Sequence, residues 1–489
     1  MVEHIWHPET GITEIEADWH TIRATEVESI RIIWGEQRAR LGGSQLLSDF
    51  TERLSREWAI ETGIIENLYD IDRGVTQTLI EHGFQAELLG HGTTNRPREY
   101  VVRLLNDQKD ALDGVFDFVA QRRELSTSYI KELHAALLRS QTHTDAIDPN
   151  GKSVQVPLIR GDWKVQPNSP TRDGQKYEYC PPGQVASEMD RLVGLHLAHK
   201  ASGVSAEVQA AWLHHRFTQV HPFQDGNGRV ARALASLVLV QAGLFPLVVT
   251  RDDKIVYLDA LEAADQGDLK RLIDLISKLQ KTQFLKATAI SEQILSAETD
   301  VQQVLGGLNR AAERLQDKRT QALQVVFAHA RDLTRDTELR LQRVVPDILN
   351  ALRRVAGDSS VYITRSGSQT DHYYRSQIVE NAKNRFGYFA DTNSYRAWIS
   401  LNMVWQRRAK LVFAFHGVGR PFSGSLICAP FLEFRDTEED GQTRDTLVPV
   451  ADEGFVFFYN ETEQEVLARF RNWRERVLVI ALRELINNL

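Results

Sequence analysis

Between positions 221 and 232 the chain reads His-Pro-Phe-Gln-Asp-Gly-Asn-Gly-Arg-Val-Ala-Arg, and this short run gathers a base, a metal ligand, an anion cradle and two cations. Gly226 and Gly228 flank Asn227, which lets the backbone take positive φ and turns it into a nest of N–H donors. A helix is expected to begin here, so its unsatisfied amides and the positive end of its dipole face the same spot. Arg229 and Arg232, three apart in the first turn, share a helical face from which both can grip a polyphosphate. Asp225 adds a hard oxygen ligand suited to a magnesium ion that bridges phosphates. His221 carries a nitrogen that titrates near neutrality, as a general base for a hydroxyl requires. Phe223 reads as a plug for the core beneath the loop, and Pro222 as the stop of the preceding helix.

Holding such a loop takes a helix on either side. One is expected through about 184–200, one from an N-cap at Ser205 to just before His221, and one after Arg229. The most apolar run, 233–249, approaches membrane-span length, but Gln241 and Gly243 interrupt it and Pro246 ends it, so it reads as a buried core helix. Upstream, Ile22, Val27, Ile30, Ile33 and Trp34 recur at helical spacing, and helical text continues to about 145. Short alternating runs between 154 and 182 surround a turn-rich stretch at 167–174 and predict a flap over about 160–179, with strands around Trp163-Lys164-Val165 and Tyr177-Glu178-Tyr179. From Ser360 the text leans to strands and closes with an amphipathic helix over about 462–487. The expected architecture is mainly α: an N-terminal helical region at 1–105, a catalytic core at 106–284, a helical spacer at 285–356 and an α+β accessory domain at 357–489.

The composition narrows the class. With 42 % hydrophobic and 25 % charged residues, the 489-residue chain is neither disordered nor collagen-like. Cys180 and Cys428 are the only cysteines, which excludes a disulfide framework and a zinc-type pair and suits a reducing, cytoplasmic setting. The N-terminus lacks a basic stretch followed by an apolar one, so no secretion signal is expected. A formal net charge of −8 gives no general attraction to nucleic acid.

The segment from His221 to Arg232 resembles the signature of the Fic family, His-x-Phe-x-(Asp/Glu)-Gly-Asn-Gly-Arg-x-x-Arg, without departure, and the resemblance extends over roughly residues 50–280. It includes Pro181-Pro182 and the run from Tyr257 to Asp268. The resemblance implies an all-helical core with a β-hairpin flap, and transfer of AMP from ATP, with Mg2+, to a Ser, Thr or Tyr hydroxyl of a target protein. It implies that His221 is the base and Asp225 the magnesium ligand. Gly226, Asn227 and Gly228 would cradle the α-phosphate, and Arg229 and Arg232 would fix the outer phosphates. The run Thr62-Gly-Ile-Ile-Glu66-Asn67, within an expected inhibitory helix near 61–68, is similar to the family's inhibitory motif and implies that Glu66 pairs with Arg232. The flap is implied to receive the target by strand addition. Removal of AMP, another phosphotransfer on the same site, and a non-catalytic scaffold stay open, and the accessory domain is expected to select a partner.

Overall fold

The computed structural model describes residues 4–489 except 17, 41, 43, 91, 148–151, 169–170, 173–174, 298–308, 368–369, 371, 420–423 and 438–442. It divides into two units, one of Met1–Arg38 with Gly42–Gln283 and one of Ala39–Leu41 with Phe284–Leu489. The expected N-terminal region and catalytic core therefore lie in a single unit.

That first unit begins with the short strand β1 (His4–Ile5), then α1 (Thr25–Arg40), α2 (Gln45–Ile65), α3 (Arg73–His82), α4 (Arg98–Ala120) and α5 (Thr127–Leu137). Strands β2 (His143–Ile147) and β3 (Ser153–Pro157) form an antiparallel hairpin, and β4 (Thr171–Arg172) pairs with β5 (Gln175–Glu178). There follow α6 (Pro182–Ala201), α7 (Ala206–Val220), α8 (Asn227–Gln241), α9 (Lys254–Asp265) and α10 (Lys270–Ala297), within which the division falls. Local sequence sets the ends. Ser44 and Ser126 cap α2 and α5 by accepting the N–H of Leu47 and Tyr129, and Pro182 opens α6 where no N–H is needed. Helix α8 is the hub: from Arg229 to Leu239 every side chain is buried, against α2, α4, α5 and α7. Apart from the arginines, Asn227 and Ser236, its buried side chains are apolar, the pattern of a core centre. The run expected as one helix over 233–249, however, leaves the helix after Gln241, with Gly243 at φ 82°, before Pro246 is reached. Among the described residues no helix is long and apolar enough to cross a membrane.

The second unit is built on α11 (Asn309–Val355), β6 (Ser360–Arg365), α12 (Arg375–Asn384), β7 (Ala390–Val404), β8 (Arg408–Val418), β9 (Ser425–Thr437), β10 (Thr443–Val448), β11 (Phe455–Phe458) and α13 (Glu463–Asn487). Its antiparallel sheet runs β10-β9-β8-β7-β6, with β11 also on β9. Val326, Ala330, Leu333, Leu341, Ile348 and Leu352 of α11 share one core with Leu401, Phe413, Phe415 and Phe470. The stretch expected as a spacer thus packs on the sheet in its second half, because a helix with one apolar stripe is stable only when that stripe is covered. On α13, Arg471 and Arg474 reach Asp336 of α11 at 2.7 and 2.5 Å.

Candidate active site

Helix α7 stops at Val220 because Pro222 cannot continue it, and His221 takes the left-handed conformation at its end, φ 50° and ψ 59°, with its N–H on the Phe217 carbonyl. That conformation is uncommon outside glycine and persists only where the surroundings impose it. His221 Nδ1 lies 3.3 Å from the Thr218 carbonyl oxygen. A carbonyl only accepts, so Nδ1 bears the proton and Nε2 the lone pair that a base needs. The Tyr179 ring stacks on the imidazole at 3.9 Å, with 10° between planes.

The loop that follows closes on itself. Asn227 Oδ1 accepts the Phe223 N–H at 2.9 Å, and its Nδ2 donates to the Phe223 carbonyl at 2.8 Å. Its side chain therefore shapes the loop, and the anion donors are the backbone N–H groups that open α8, which have no carbonyl one turn back within the helix. Gly226 sits at φ 80°, where a Cβ would come within 2.6 Å of Leu138. Phe223 is fully buried, as its reading as a core plug requires, and stacks on His134 at 3.7 Å. His134 Nδ1 accepts the Gly161 N–H at 2.9 Å, so its protonated Nε2 donates to the Asp225 carbonyl at 3.0 Å. Burial pushes its pKa down to about 4, which keeps it neutral.

Asp225 Oδ1 accepts the Gly226 N–H at 2.6 Å, and Oδ2 accepts from Gln141 at 2.5 Å and Thr144 at 3.3 Å. Burial alone would raise its pKa, but the Arg229 guanidinium at 3.4 Å and these donors outweigh it and hold the carboxyl below its ordinary value. Arg229 is fully buried and donates to Gln141 Oε1 at 3.0 Å. The two signature arginines diverge: Arg229 turns to Gln141 and Asp225, and Arg232 to Glu66. Neither Nε nor Nη2 of Arg229, nor Nε of Arg232, has a hydrogen-bond partner despite burial, and such orphaned donors suit an incoming anion. Among the described residues no three His, Cys, Asp or Glu groups gather as a metal site. One ionised carboxylate, 29 % exposed, nevertheless fits magnesium, which takes one or two carboxylates when phosphates and water supply the other ligands. Gln141 and His134 carry no signal in the sequence, since each is a single polar residue 80 or more positions from the signature.

Glu66 caps the C-terminal end of α2, so the expected inhibitory segment is the last turn of a long helix. Arg232 Nη2 donates to Glu66 Oε1 at 2.7 Å and to the Thr62 carbonyl at 3.3 Å. Its Nη1 reaches the Tyr257 hydroxyl at 3.4 Å, which is 2.8 Å from His214 Nε2. Burial works against the Arg232 charge, but Glu66 and Tyr257 more than offset it, and its pKa is raised. A Cβ on Gly228 would collide with the Glu66 carboxylate, so this glycine admits Glu66 to the start of α8. The end of α2 is anchored separately: Glu61 takes the Arg251 N–H at 2.7 Å and its Nη2 at 2.8 Å, while Arg251 Nη1 donates to the Ile71 carbonyl at 2.6 Å.

The flap departs from its expected strands. Trp163-Lys164-Val165 is not a strand, because the Lys164 N–H binds the Pro222 carbonyl at 2.8 Å and its side chain is buried, which ties the segment to the signature loop. The Tyr177 strand does form, as β5, but β1 pairs with it in parallel, His4 opposite Tyr177 and Ile5 opposite Glu178. The flap is thus three-stranded, in the order β1-β5-β4, with the chain's own N-terminal segment on one edge of β5.

A sequence model described as the Fic/DOC family matches residues 124–239. The chain is 30 % identical over 127 residues to the protein adenylyltransferase Fic of Culex quinquefasciatus, covering 26 % of this chain and 25 % of that protein. It is also 30 % identical over 175 residues to the protein adenylyltransferase Fic of Drosophila persimilis, covering 36 % of this chain and 31 % of that protein. The match thus spans less than a third of these curated relatives. Among solved structures, a Fic-domain-containing signaling protein from Bacteroides thetaiotaomicron is similar over 55 % of this chain and 97 % of its own, with 21 % identity and a TM-score of 0.45.

Proposed function

We propose, from the match of residues 124–239 to the Fic/DOC family model, that the chain is an auto-inhibited protein adenylyltransferase, which moves AMP from ATP to a hydroxyl side chain of a target protein. One observation carries the reading: an imidazole whose Nδ1 faces the Thr218 carbonyl stands six residues from a helix N-terminus whose amides, beside buried arginine N–H groups without hydrogen-bond partners, suit an anion. His221 Nε2 takes the proton of the target hydroxyl, whose oxygen then bonds to the α-phosphorus while the bond to the bridging oxygen breaks and pyrophosphate leaves. The α8 amides stabilise the charge that builds on the α-phosphate, the largest contribution expected in chemistry of this kind. Asp225 would hold magnesium, which when bound neutralises phosphate charge. Arg232 is the natural partner of the outer phosphates, and Glu66 keeps it engaged.

Incubation of the full chain with Mg2+ and α-labelled ATP tests this. Self-labelling is expected to rise in Glu66→Gly and vanish in Glu66→Gly/His221→Ala. Equal labelling in these proteins, or label transferred from γ-labelled ATP instead, overturns it. Two unpaired buried cysteines support a reducing, cytoplasmic setting. The second unit, whose sheet and helices share a core of their own, is assigned to partner selection, and its loss is expected to abolish target labelling while self-labelling persists.

A further inference from the structure

The geometry points to Tyr179, carried at the end of the flap and backed by Lys164, as the positioning residue that fixes the plane of the His221 imidazole. The inference rests on His221 being the base. A base acts through one lone pair in one direction, so the rotation of its ring matters as much as its tautomer. The contact of Nδ1 with the Thr218 carbonyl is 3.3 Å, at the long end of the useful range. Tyr179 supplies what that contact lacks. Its ring lies 3.9 Å from the imidazole and nearly parallel to it, so rotation of the His221 ring drives it into the aromatic face.

Tyr179 is itself held by the signature loop. Lys164, only 3 % exposed, sets its ammonium 5.9 Å from the centre of the Tyr179 ring, within reach of a cation–π attraction. The same ammonium donates to Asn168 Oδ1 at 2.6 Å and to the Val220 carbonyl at 3.5 Å. The Lys164 N–H takes the Pro222 carbonyl, and Asn168 Nδ2 takes the Phe223 carbonyl at 3.0 Å. The flap therefore binds the carbonyls of Val220, Pro222 and Phe223, on both sides of His221, and presses an aromatic ring on its side chain. Burying an ammonium among neutral partners is costly, and it pulls the Lys164 pKa down to about 8. A surface hairpin has no need of such a group. Nothing about the spacing of Lys164 or Tyr179 reveals the arrangement, because it is made only when residues 164–179 fold back on 220–223.

The test combines kinetics with a spectroscopic readout, both in the Glu66→Gly background. Tyr179→Ala is expected to lower kcat roughly 10- to 100-fold, the range for a misplaced reacting group. The KM for ATP should stay within about twofold, since no phosphate contact is touched. Tyr179→Phe, which keeps the ring, should recover kcat to within about threefold of the parent, and Lys164→Met should fall between the two. In 1H–13C spectra of imidazole Cε1–H groups, the resonance lost in His221→Ala is expected to be shifted upfield by the Tyr179 ring current. It should move downfield in Tyr179→Ala and stay in Tyr179→Phe. An unmoved His221 resonance in Tyr179→Ala overturns the inference, as does a Phe variant no better than Ala or a loss carried wholly by KM. If the parent transfers no AMP while the resonance responds as stated, the functional reading falls and the positioning role stands.

Discussion

Replacing Glu66 with glycine tests the arrangement around Arg232 most directly, because it predicts opposite effects on stability and on nucleotide affinity. Arg232 is 1 % exposed and Glu66 23 %, and they meet at 2.7 Å. Breaking a buried pair by removing one partner costs about 3–5 kcal/mol. Glu66 is partly exposed, and the Thr62 carbonyl and Tyr257 hydroxyl remain within 3.4 Å of the guanidinium, so the cost falls below that range, to about 2–3 kcal/mol. Over a unit of this size that is a fall of roughly 4–12 °C in Tm. On the proposed reading the same energy would oppose ATP in the wild type, since its outer phosphates would have to displace Glu66. Calorimetry with a non-hydrolysable ATP analogue and Mg2+ is therefore expected to show binding about 30- to 150-fold tighter in Glu66→Gly. Saturating analogue, at about 100 times its Kd, returns some 2.7 kcal/mol and should restore most of the lost Tm. With Arg232→Ala in place, Glu66→Gly should change affinity no further, the signature of a coupled pair. Equal affinities in wild type and Glu66→Gly, or a Glu66 effect that survives Arg232→Ala, refute the reasoning.

Two further outcomes follow from contacts away from the nucleotide. Glu61→Gln removes the charge that Arg251 clamps, so it is expected to cost about 2 kcal/mol in urea unfolding and to raise self-labelling several-fold by loosening the last turn of α2; lower stability with unchanged labelling separates the anchor from inhibition. His134 and His196 are buried and burial pushes both to about 4, below the unfolded value near 6.5, so the unfolded chain binds the extra protons. Stability is therefore fully present above about pH 6.5 and lost as pH falls toward 4, by roughly 3 kcal/mol for each histidine once both forms have titrated. Urea midpoints at pH 7.0 and 4.5 check this, and a higher midpoint at pH 4.5 contradicts it.

What the sequence made legible was whatever lies close together in the chain. The twelve residues from His221 suggest their own chemistry, since a turn, a helix start and two arginines are local features, and the apolar content after 232 marks the buried stretch of α8 but not its end at Gln241. The partner of Arg232 was legible only through the resemblance of Thr62–Asn67 to a motif. The network beneath the loop was not, because His134, Gln141, Lys164 and Asn168 are isolated polar residues whose role exists only after α5 and the flap segment meet the loop. The same limit explains α11. Its stripe of Val326, Ala330, Leu333 and Leu341 is visible in the text, but the sheet that covers it is assembled from strands that begin at residue 360. The two-residue strand β1 is too short to carry an alternation, and it exists because β5 offers an edge.

On the proposed reading, catalysis and inhibition would make the same demand on α8. Anion binding at a helix start needs backbone that can be approached closely, which is why glycine at 228 would suit a phosphate. The Glu66 carboxylate is an anion too, and it enters by the room this glycine leaves, to meet an arginine buried too deeply to be solvated. A side chain at 228 large enough to exclude the inhibitor would also crowd the nucleotide, so the position cannot be tuned for one without the other. Control must then come from the element that carries the competing carboxylate. In this chain that element is the end of α2, fastened by Glu61 to Arg251 and by Asn67 to Lys254 at 3.0 Å, contacts that lie outside the phosphate cradle. On the proposed reading the strength of inhibition would thus change through residues that touch neither ATP nor His221.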